Sequence, residues 1–178
     1  MKEVEVKILE IDQATVESKL TSLGATETLD EDEETVFFDF PDSTITKAKN
    51  LLRLRRIGKT TTLGFKEFVA SDSAKVRIEH EVIVSDFEAA NSILRCLGLL
   101  PTARLSKHRR SYSLEGRVRV DVDTYTGAHS NIPTLLEIEG ADITTVYAHA
   151  KLLGFEPERC KSWTTFELLD YYSNKGRS

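Results

Sequence analysis

The sequence has 178 residues, of which 40% are hydrophobic, and this size and composition predict one compact domain with a substantial core. The net charge of −5 argues against a general nucleic-acid-binding protein, because such proteins usually carry a basic excess. The two cysteines lack the spacing of a metal knuckle or a disulfide framework, and no apolar run reaches the roughly 18 residues of a membrane span. We therefore expect a soluble, cytoplasmic monomer or homodimer with no nucleic-acid or membrane partner.

The first nine residues alternate charged and apolar side chains, which predicts a β-strand with one charged face. Glu3, Glu5 and Lys7 share that face. The solvent face of a strand more commonly carries Thr, Ser and mixed polar residues. This concentration of charge therefore indicates a functional site.

Residues 12–23 are predicted to form a helix, because Asp12 can cap its N-terminus and apolar residues recur at helical spacing. The acidic run at residues 30–34 predicts a solvated turn. A β-prone stretch follows at residues 35–40. Residues 43–50 are then expected to form a mobile connection.

Three strands at residues 51–56, 60–68 and 75–84 repeat the alternation of the first strand. Each is predicted to have one charged face and one apolar face. Their charged side chains are Arg53, Arg55, Lys66, Arg77, Glu79 and Glu81. A second helix is expected to begin after Asp86, which can cap it.

Three more strands are predicted at residues 103–114, 117–123 and 134–139, again with one charged face each. The side chains on these faces are Lys107, Arg109, Arg117, Arg119, Asp121, Asp123, Glu137 and Glu139. Two further helices complete the chain, with Asp142 and Ser162 as the expected capping residues.

About eight strands and four helices predict an α+β fold within a single domain spanning residues 1–178. The amphipathic helices need an apolar surface, and the apolar strand faces supply one, so the charged faces would turn inward. Seven or eight antiparallel strands can also close into a barrel, which removes exposed edges. The alternative is an antiparallel sheet with one wet face, on which mixed charges form weak pairs.

A charged interior needs compensating partners, because charges removed from water are costly. A polyanion on the Arg and Lys side chains, with one or two divalent ions on the carboxylates, would complete the balance. Arg binds phosphate oxygens in bidentate fashion, and carboxylate-rich sites suit Mg²⁺ or Mn²⁺. The pattern predicts metal-assisted phosphoryl transfer.

The crowding of cations on these faces also predicts that the pKa of Lys7 or Lys66 lies below the value of about 10.4 for a free lysine.

Seven motifs between residues 3 and 139 occur in the order found in a known family. They are Glu3-x-Glu5-x-Lys7, Phe38-Asp39 before Pro41-Asp42, Leu52-Arg-Leu-Arg55 with Lys66 after it, Arg77-x-Glu79-x-Glu81, Lys107-x-Arg109, Asp121 and Glu137-Ile-Glu139. This series resembles the CYTH superfamily, the triphosphate tunnel metalloenzymes, which includes class IV adenylyl cyclases, thiamine triphosphatases and inorganic triphosphatases. Asp123, where the family often has an apolar residue, and the segment 133–140 depart from the family pattern and leave the substrate open.

The resemblance implies a closed eight-stranded antiparallel barrel with helices outside, whose tunnel binds a triphosphate. The implied metal ligands are Glu3, Glu5, Asp121, Glu137 and Glu139. The implied triphosphate-binding residues are Lys7, Arg53, Arg55, Lys66, Arg77, Lys107 and Arg109. The expected catalytic residues are Glu5, Lys7, Arg55 and Glu139. Further candidates for the site are Glu79, Glu81, Arg119 and Asp123.

Three functions are compatible with these residues. The first is a metal-dependent hydrolase of inorganic or organic triphosphates. The second is a class IV adenylyl cyclase that converts ATP to cyclic AMP and pyrophosphate, and the third is a non-catalytic module that binds triphosphate or polyphosphate. The full carboxylate set argues against a pure binder. Hydrolysis is favoured over cyclisation, because the residues that could form a purine pocket, Phe37, Tyr125, Asn131 and Trp163, are better explained as packing or loop residues.

Overall fold

The structure is a computed structural model that describes residues 4–69, 76–115 and 117–175, apart from the side chains of residues 69, 76 and 77. Within these residues the chain forms nine strands and five α-helices. The strands are β1 (Val4–Ile8), β2 (Thr26–Asp39), β3 (Leu51–Ile57), β4 (Thr60–Val69), β5 (Val76–Val84), β6 (Leu100–Leu114), β7 (Val118–Thr126), β8 (Leu135–Gly140) and β9 (Cys160–Lys161). The helices are α1 (Gln13–Ser22), α2 (Thr44–Lys47), α3 (Phe87–Cys96), α4 (Ile143–Leu152) and α5 (Thr165–Lys175).

The expected α+β fold with an antiparallel sheet is confirmed. The hydrogen-bonded strand order is β5-β4-β3-β2-β6-β7-β8-β1-β9. In the described part of the chain the sheet therefore has nine strands rather than eight and is open, with β5 and β9 at its ends. The added strand is β9, which pairs with the edge of β1 that β8 does not use.

The chain divides into two compact units. Unit 1 contains residues 1–30 and 107–178, and unit 2 contains residues 31–106. Strands β2 and β6 contribute residues to both units. The prediction of a single domain over residues 1–178 stays a prediction.

The core of unit 1 lies between its helices and the apolar faces of β1, β7 and β8. Val6 and Ile138 on the strands pack in one cluster with Leu20 of α1 and Val146 of α4. Asp12 and Asp142 accept hydrogen bonds from backbone N–H groups in the first turns of α1 and α4, as predicted. Because Val6 is buried on the apolar face of β1, its neighbours Glu5 and Lys7 point to the opposite face.

The core of unit 2 lies between the apolar face of its strands and α3. Leu54 of β3 is fully buried there, together with Phe87 and Leu94 of α3. Asp86 caps α3 by accepting a hydrogen bond from the N–H of Ala89 at 2.9 Å. The burial of Leu54 directs the neighbouring side chains Arg53 and Arg55 to the other face, as the alternation predicts.

Two expectations about local structure are wrong. The acidic run at residues 30–34 belongs to β2 rather than to a solvated turn, because its carboxylates find cationic partners: Glu34 pairs with Arg56 at 2.6 Å and with Nε of Arg104 at 2.6 Å. Residues 43–50 contain α2 instead of being only a connection, because Asp39 binds the N–H groups of residues 45 and 46.

The start of the last helix also differs from expectation. Thr164, not Ser162, is the capping residue of α5. Its backbone N–H donates to Glu167 at 2.7 Å, and its hydroxyl accepts from the N–H of Glu167 at 3.3 Å, which is a capping box. In the described residues, no helix combines the length and apolar character needed to cross a membrane.

Candidate functional site

Charged side chains from four strands of unit 1 form one group, which we call the carboxylate cluster. Its members are Glu5, Lys7, Lys107, Arg109, Arg119, Asp121, Asp123, Glu137 and Glu139. The strand register arranges six of them in two rows across β1, β8 and β7. One row is Glu5, Glu139 and Arg119, and the next is Lys7, Glu137 and Asp121.

Arg109 lies at the centre of the carboxylate cluster and is buried. Its Nη1 contacts Asp121 at 2.7 Å, its Nε donates to Asp123 at 2.7 Å, and its Nη2 donates to Glu137 at 2.6 Å. Burial would lower the pKa of Arg109, but the attraction of Asp123 and Glu137 outweighs it and raises that pKa well above its usual value. The guanidinium therefore joins three carboxylates.

Lys7 is also buried and joins two carboxylates. Its Nζ lies 2.9 Å from Glu137 and also contacts Glu5. Burial would lower the pKa of Lys7, but attraction to Glu137 and Glu5 raises it above its usual value. The expectation of a lowered pKa is therefore wrong for Lys7, because its nearest charged neighbours are carboxylates rather than other cations.

Asp123 has no solvent exposure and holds two cations. Its Oδ2 accepts from Nζ of Lys107 at 2.6 Å and from Nη2 of Arg109 at 2.6 Å. The ammonium of Lys107 also lies 5.8 Å from the ring centre of Tyr125. Asp123, the residue that departs from the family pattern, is therefore the most buried carboxylate of the cluster.

The members of the carboxylate cluster are five carboxylates and four cations, so among themselves they carry one excess negative charge. Lys161, opposite Lys7 on β9, lies beside the cluster and donates to a backbone carbonyl instead. Oδ1 of Asp121 is buried without a hydrogen-bond partner among the described residues. An additional cation would satisfy both features. The all-oxygen donor set fits a hard divalent ion such as Mg²⁺ or Mn²⁺. As the described side chains lie, no three acidic, histidine or cysteine residues converge on a metal position, so binding would exchange some ion-pair partners for the metal.

Unit 2 contains a second charged group, which we call the arginine cluster. Arg53 and Arg55 of β3 both approach Oε2 of Glu81, at 3.5 and 3.2 Å. Lys66 of β4 donates to Glu79 of β5 at 2.6 Å. Burial would raise the pKa of Glu79, but Lys66 and the two arginines outweigh it and lower that pKa.

The arginine cluster has three cations and two carboxylates, so its excess charge is positive. Nε of Arg53 is a buried hydrogen-bond donor without a partner among the described residues, and so is the hydroxyl of Thr62, which lies opposite Arg55 on the neighbouring strand. Unmatched donors and positive charge fit an anion, whereas the unmatched acceptor of the carboxylate cluster fits a cation.

The structure brings together most of the residues expected at the site, in two groups. Glu5, Asp121, Glu137 and Glu139 lie in the carboxylate cluster with Lys7, Lys107, Arg109, Arg119 and Asp123. Arg53, Arg55, Lys66, Glu79 and Glu81 lie in the arginine cluster. Glu3 and the side chain of Arg77 lie outside the described residues. The expected roles of all these residues remain predictions.

Three residues on the charged faces were not predicted as residues of the site. Thr62 and Gly64 are uncharged, so a search for charge alternation does not find them. Lys161 lies on β9, directly opposite Lys7, but a two-residue strand shows no alternation. A signal for the first two exists: a threonine and a glycine alternate with apolar residues on the face that carries Lys66.

Comparison with known families gives one match, to the CYTH domain, over residues 1–148. No curated protein matches the chain. Among solved structures, a conserved hypothetical protein from Pyrococcus furiosus is 27% identical, with a TM-score of 0.76, over 94% of this chain and 99% of that one. A presumed adenylate cyclase from Vibrio parahaemolyticus is 17% identical, with a TM-score of 0.77 and coverages of 94% and 97%. A presumed adenylyl cyclase from Hippeastrum, reported to have a dominant triphosphatase activity, is 14% identical, with a TM-score of 0.67 and coverages of 96%.

Proposed function

Because this chain belongs to the CYTH domain family, we propose that it is a metal-dependent hydrolase of triphosphate substrates, inorganic or organic. The observation that carries the proposal is the opposite imbalance of the two clusters. The arginine cluster has unmatched donors and excess positive charge, and the carboxylate cluster has an unmatched acceptor and excess negative charge. A triphosphate supplies the anion that the arginine cluster lacks, and a divalent ion supplies the cation that the carboxylate cluster lacks.

The arginine cluster would bind phosphate oxygens. Arg53 and Arg55 offer planar guanidinium groups, and Lys66 offers a point charge. Glu81 and Glu79 keep these cations on one face of the sheet. Arg77 is proposed as a further phosphate ligand from its place in the sequence. In phosphoryl transfer, such groups neutralise charge on the transferred phosphoryl oxygens.

The carboxylate cluster would hold the metal through Glu5, Asp121, Glu137 and Glu139, with Glu3 as a further proposed ligand. CYTH enzymes generally depend on divalent metals. The ion, when bound, supplies a Lewis acid for the reacting phosphoryl group. Arg109 and Lys7 hold the side chains of Asp121 and Glu137 in place.

Protonation states follow from the contacts of Lys7 and Glu137. The raised pKa of Lys7 keeps its ammonium charged at neutral pH, so Lys7 acts as a cation and not as a proton acceptor. Burial would raise the pKa of Glu137, but Lys7, Lys107 and Arg109 lower it well below its usual value, so Glu137 is ionised in its contacts with Lys7 and Arg109. Lys107 and Arg109 are proposed as further phosphate ligands, which would exchange contacts with Asp123 for phosphate oxygens.

Hydrolysis is preferred to cyclisation because the aromatic side chains that could bind a purine are engaged in packing. Phe37 and Tyr125 are buried, and Trp163 packs against the ring of Tyr171 with centroids 5.0 Å apart. A cyclase would need a base pocket to hold ATP with its ribose 3′-hydroxyl near the α-phosphate. Fold likeness does not decide the reaction, because one fold can carry different chemistries.

The deciding experiment is incubation of the purified protein with inorganic triphosphate and with ATP, each with Mg²⁺ and with Mn²⁺, followed by chromatography of the products. Release of orthophosphate without a cyclic product supports the proposal. Formation of cyclic AMP and pyrophosphate from ATP would overturn it in favour of a cyclase. Binding of triphosphate without any turnover would leave a binding module.

A further inference from the structure

Gly64 has no side chain between two charged neighbours of the arginine cluster, and we call the space that a Cβ atom would take there the concavity. It lies on β4, between Arg53 of β3 and Glu81 of β5, and shares their face of the sheet. A Cβ atom at position 64 would stand 3.4 Å from Oε2 of Glu81 and 3.6 Å from Nε of Arg53. A glycine within a strand often marks a place where another group approaches the backbone closely. Here the approaching group is a carboxylate oxygen.

Two hydrogen-bond donors without partners among the described residues lie on the same face of the sheet, one beside Gly64 and one on the next row. The hydroxyl of Thr62 and Nε of Arg53 are both buried and make no hydrogen bond to any described residue. Thr62 lies directly opposite Arg55, one row along the sheet from Gly64. Leaving a buried donor unsatisfied is costly, so two such donors on adjacent rows require an explanation.

Glu81 occupies the position that an anion would take. Its Oε2 is shared by Arg53 and Arg55, at 3.5 and 3.2 Å, both longer than a strong charge-assisted hydrogen bond. The side chain of Glu81 is 38% exposed, so it can move into solvent. At these distances the carboxylate oxygen of Glu81 binds the two guanidinium groups weakly. Another anion could therefore replace it.

We propose that Gly64, Thr62, Arg53 and Arg55 form a cradle for a single phosphate oxygen, and that Glu81 fills this cradle until a phosphate chain displaces it. The proposal rests on the proposed function, since a triphosphate supplies the oxygen. It names Thr62 and Gly64 as residues that determine affinity for the phosphate chain. It also gives Glu81 the role of a competitor for the two arginines instead of a metal ligand.

The test is calorimetric titration with the non-hydrolysable inorganic imidotriphosphate in excess Mg²⁺. Thr62→Val removes the hydroxyl at nearly constant volume and should weaken binding about tenfold. Gly64→Ala fills the concavity and should weaken binding to a similar extent. Glu81→Gln removes the competing charge and should strengthen binding severalfold. Thr60→Val is the matched control, because Thr60 is exposed at the start of the same strand, and it should bind like the wild type.

Thr62→Ser keeps a hydroxyl and should restore binding, which a purely structural role for Thr62 would not explain. If Gly64→Ala does not fold, Thr62→Val and Thr62→Ser decide the question together. Wild-type affinity in Thr62→Val and Gly64→Ala would overturn the cradle, and weaker binding by Glu81→Gln would overturn the role of Glu81.

Neither result would bear on the proposed hydrolysis, which product analysis tests. Conversely, the expected binding pattern without turnover would support the cradle and overturn the hydrolase. Absence of binding by the wild type and by Glu81→Gln would overturn the cradle.

Discussion

Lys7 on β1 lies directly opposite Lys161 on β9, so two lysines share one cross-strand position. Lys7 has Glu137 as its neighbour on the other side. Lys161 donates to the backbone carbonyl of Glu158 at 3.3 Å, and among the described residues it forms no ion pair. Since the family match ends at residue 148, a segment beyond it brings this cation next to the carboxylate cluster.

The first prediction concerns Lys161. Like charges directly opposite each other destabilise a sheet, so Lys161→Met should raise the free energy of unfolding by about 0.5 kcal/mol. The same substitution removes a cation near the proposed site and should weaken triphosphate binding about threefold. Urea unfolding and calorimetric titration measure the two effects. Lys151→Met, at an exposed position of α4, should change neither quantity, and a large loss of stability in Lys161→Met would contradict the expected repulsion.

The second prediction concerns the buried pair of Arg109 and Asp123. Asp123→Asn leaves Arg109 and Lys107 partly uncompensated inside the protein, and breaking such a pair costs about 3 kcal/mol. Urea unfolding should show this loss. The control is Glu10→Gln, which breaks an ion pair with Lys175 in which both side chains are about half exposed, and it should leave stability nearly unchanged. Equal effects of the two substitutions would mean that the buried network contributes little.

The third prediction concerns Asp39, whose carboxylate accepts four hydrogen bonds. The donors are the N–H groups of Phe40 and Ile45, and the N–H and hydroxyl of Thr46, all at 2.6 to 2.9 Å. Asp39→Asn should therefore lower the free energy of unfolding by about 2 kcal/mol at neutral pH. Asp42→Asn is the matched control, since Asp42 belongs to the same motif but is exposed, and it should cost less.

The effect of Asp39 should depend on pH in a defined direction. Burial would raise the pKa of Asp39, but the hydrogen bonds from Thr46, Ile45 and Phe40 outweigh it and lower that pKa. A lowered pKa stabilises the folded state above the unfolded value of about 3.9, and this stabilisation is lost as the pH falls through the folded pKa. The stability difference between wild type and Asp39→Asn should therefore shrink in acid. A constant difference would show that ionisation of Asp39 is not its source.

The sequence predicts those features that depend on neighbouring residues. Alternation assigns Arg53 and Arg55 to the face opposite Leu54, and an aspartate before an apolar run marks the start of α1 and α3. Each of these depends on a few adjacent side chains. Local patterns of this kind survive because tertiary packing acts in the same direction as local preference.

The features that the sequence does not predict depend on distant partners. The acidic start of β2 is stable as a strand because Glu34 meets Arg104, 70 residues away. The strand β9 exists only because β1 offers it an edge. The pKa of Lys7 depends on Glu137, which the register of β1 and β8 sets. That the hydroxyl of Thr62 is buried without a partner among the described residues also depends on its tertiary surroundings. None of these relationships is visible as a local pattern.

The fourth prediction concerns Lys7 at alkaline pH. Its raised pKa means that its ion pairs stabilise the fold fully below the unfolded value of about 10.4 and lose this effect as the pH rises through the folded pKa. The wild type should therefore lose stability above pH 10.4 more steeply than Lys7→Met does. Urea unfolding between neutral pH and about pH 11 measures the difference. A loss of stability that begins near neutral pH and disappears in Lys7→Met would contradict the raised pKa.

The last prediction separates the two clusters by their effect on turnover. Glu139 contacts Arg119 and lies opposite Glu5, so Glu139→Gln changes one proposed metal ligand without changing side-chain volume. We expect kcat to fall at least about 100-fold, with little change in imidotriphosphate affinity, because the Lewis acid acts on the transition state. Arg55→Met should instead weaken binding and lower kcat/KM together, since its contacts exist in both states. Glu88→Gln, at an exposed position of α3, carries the same change of charge and should match the wild type. Steady-state kinetics with inorganic triphosphate decide the matter: full activity of Glu139→Gln in Mg²⁺ would remove this carboxylate from the proposed metal ligands.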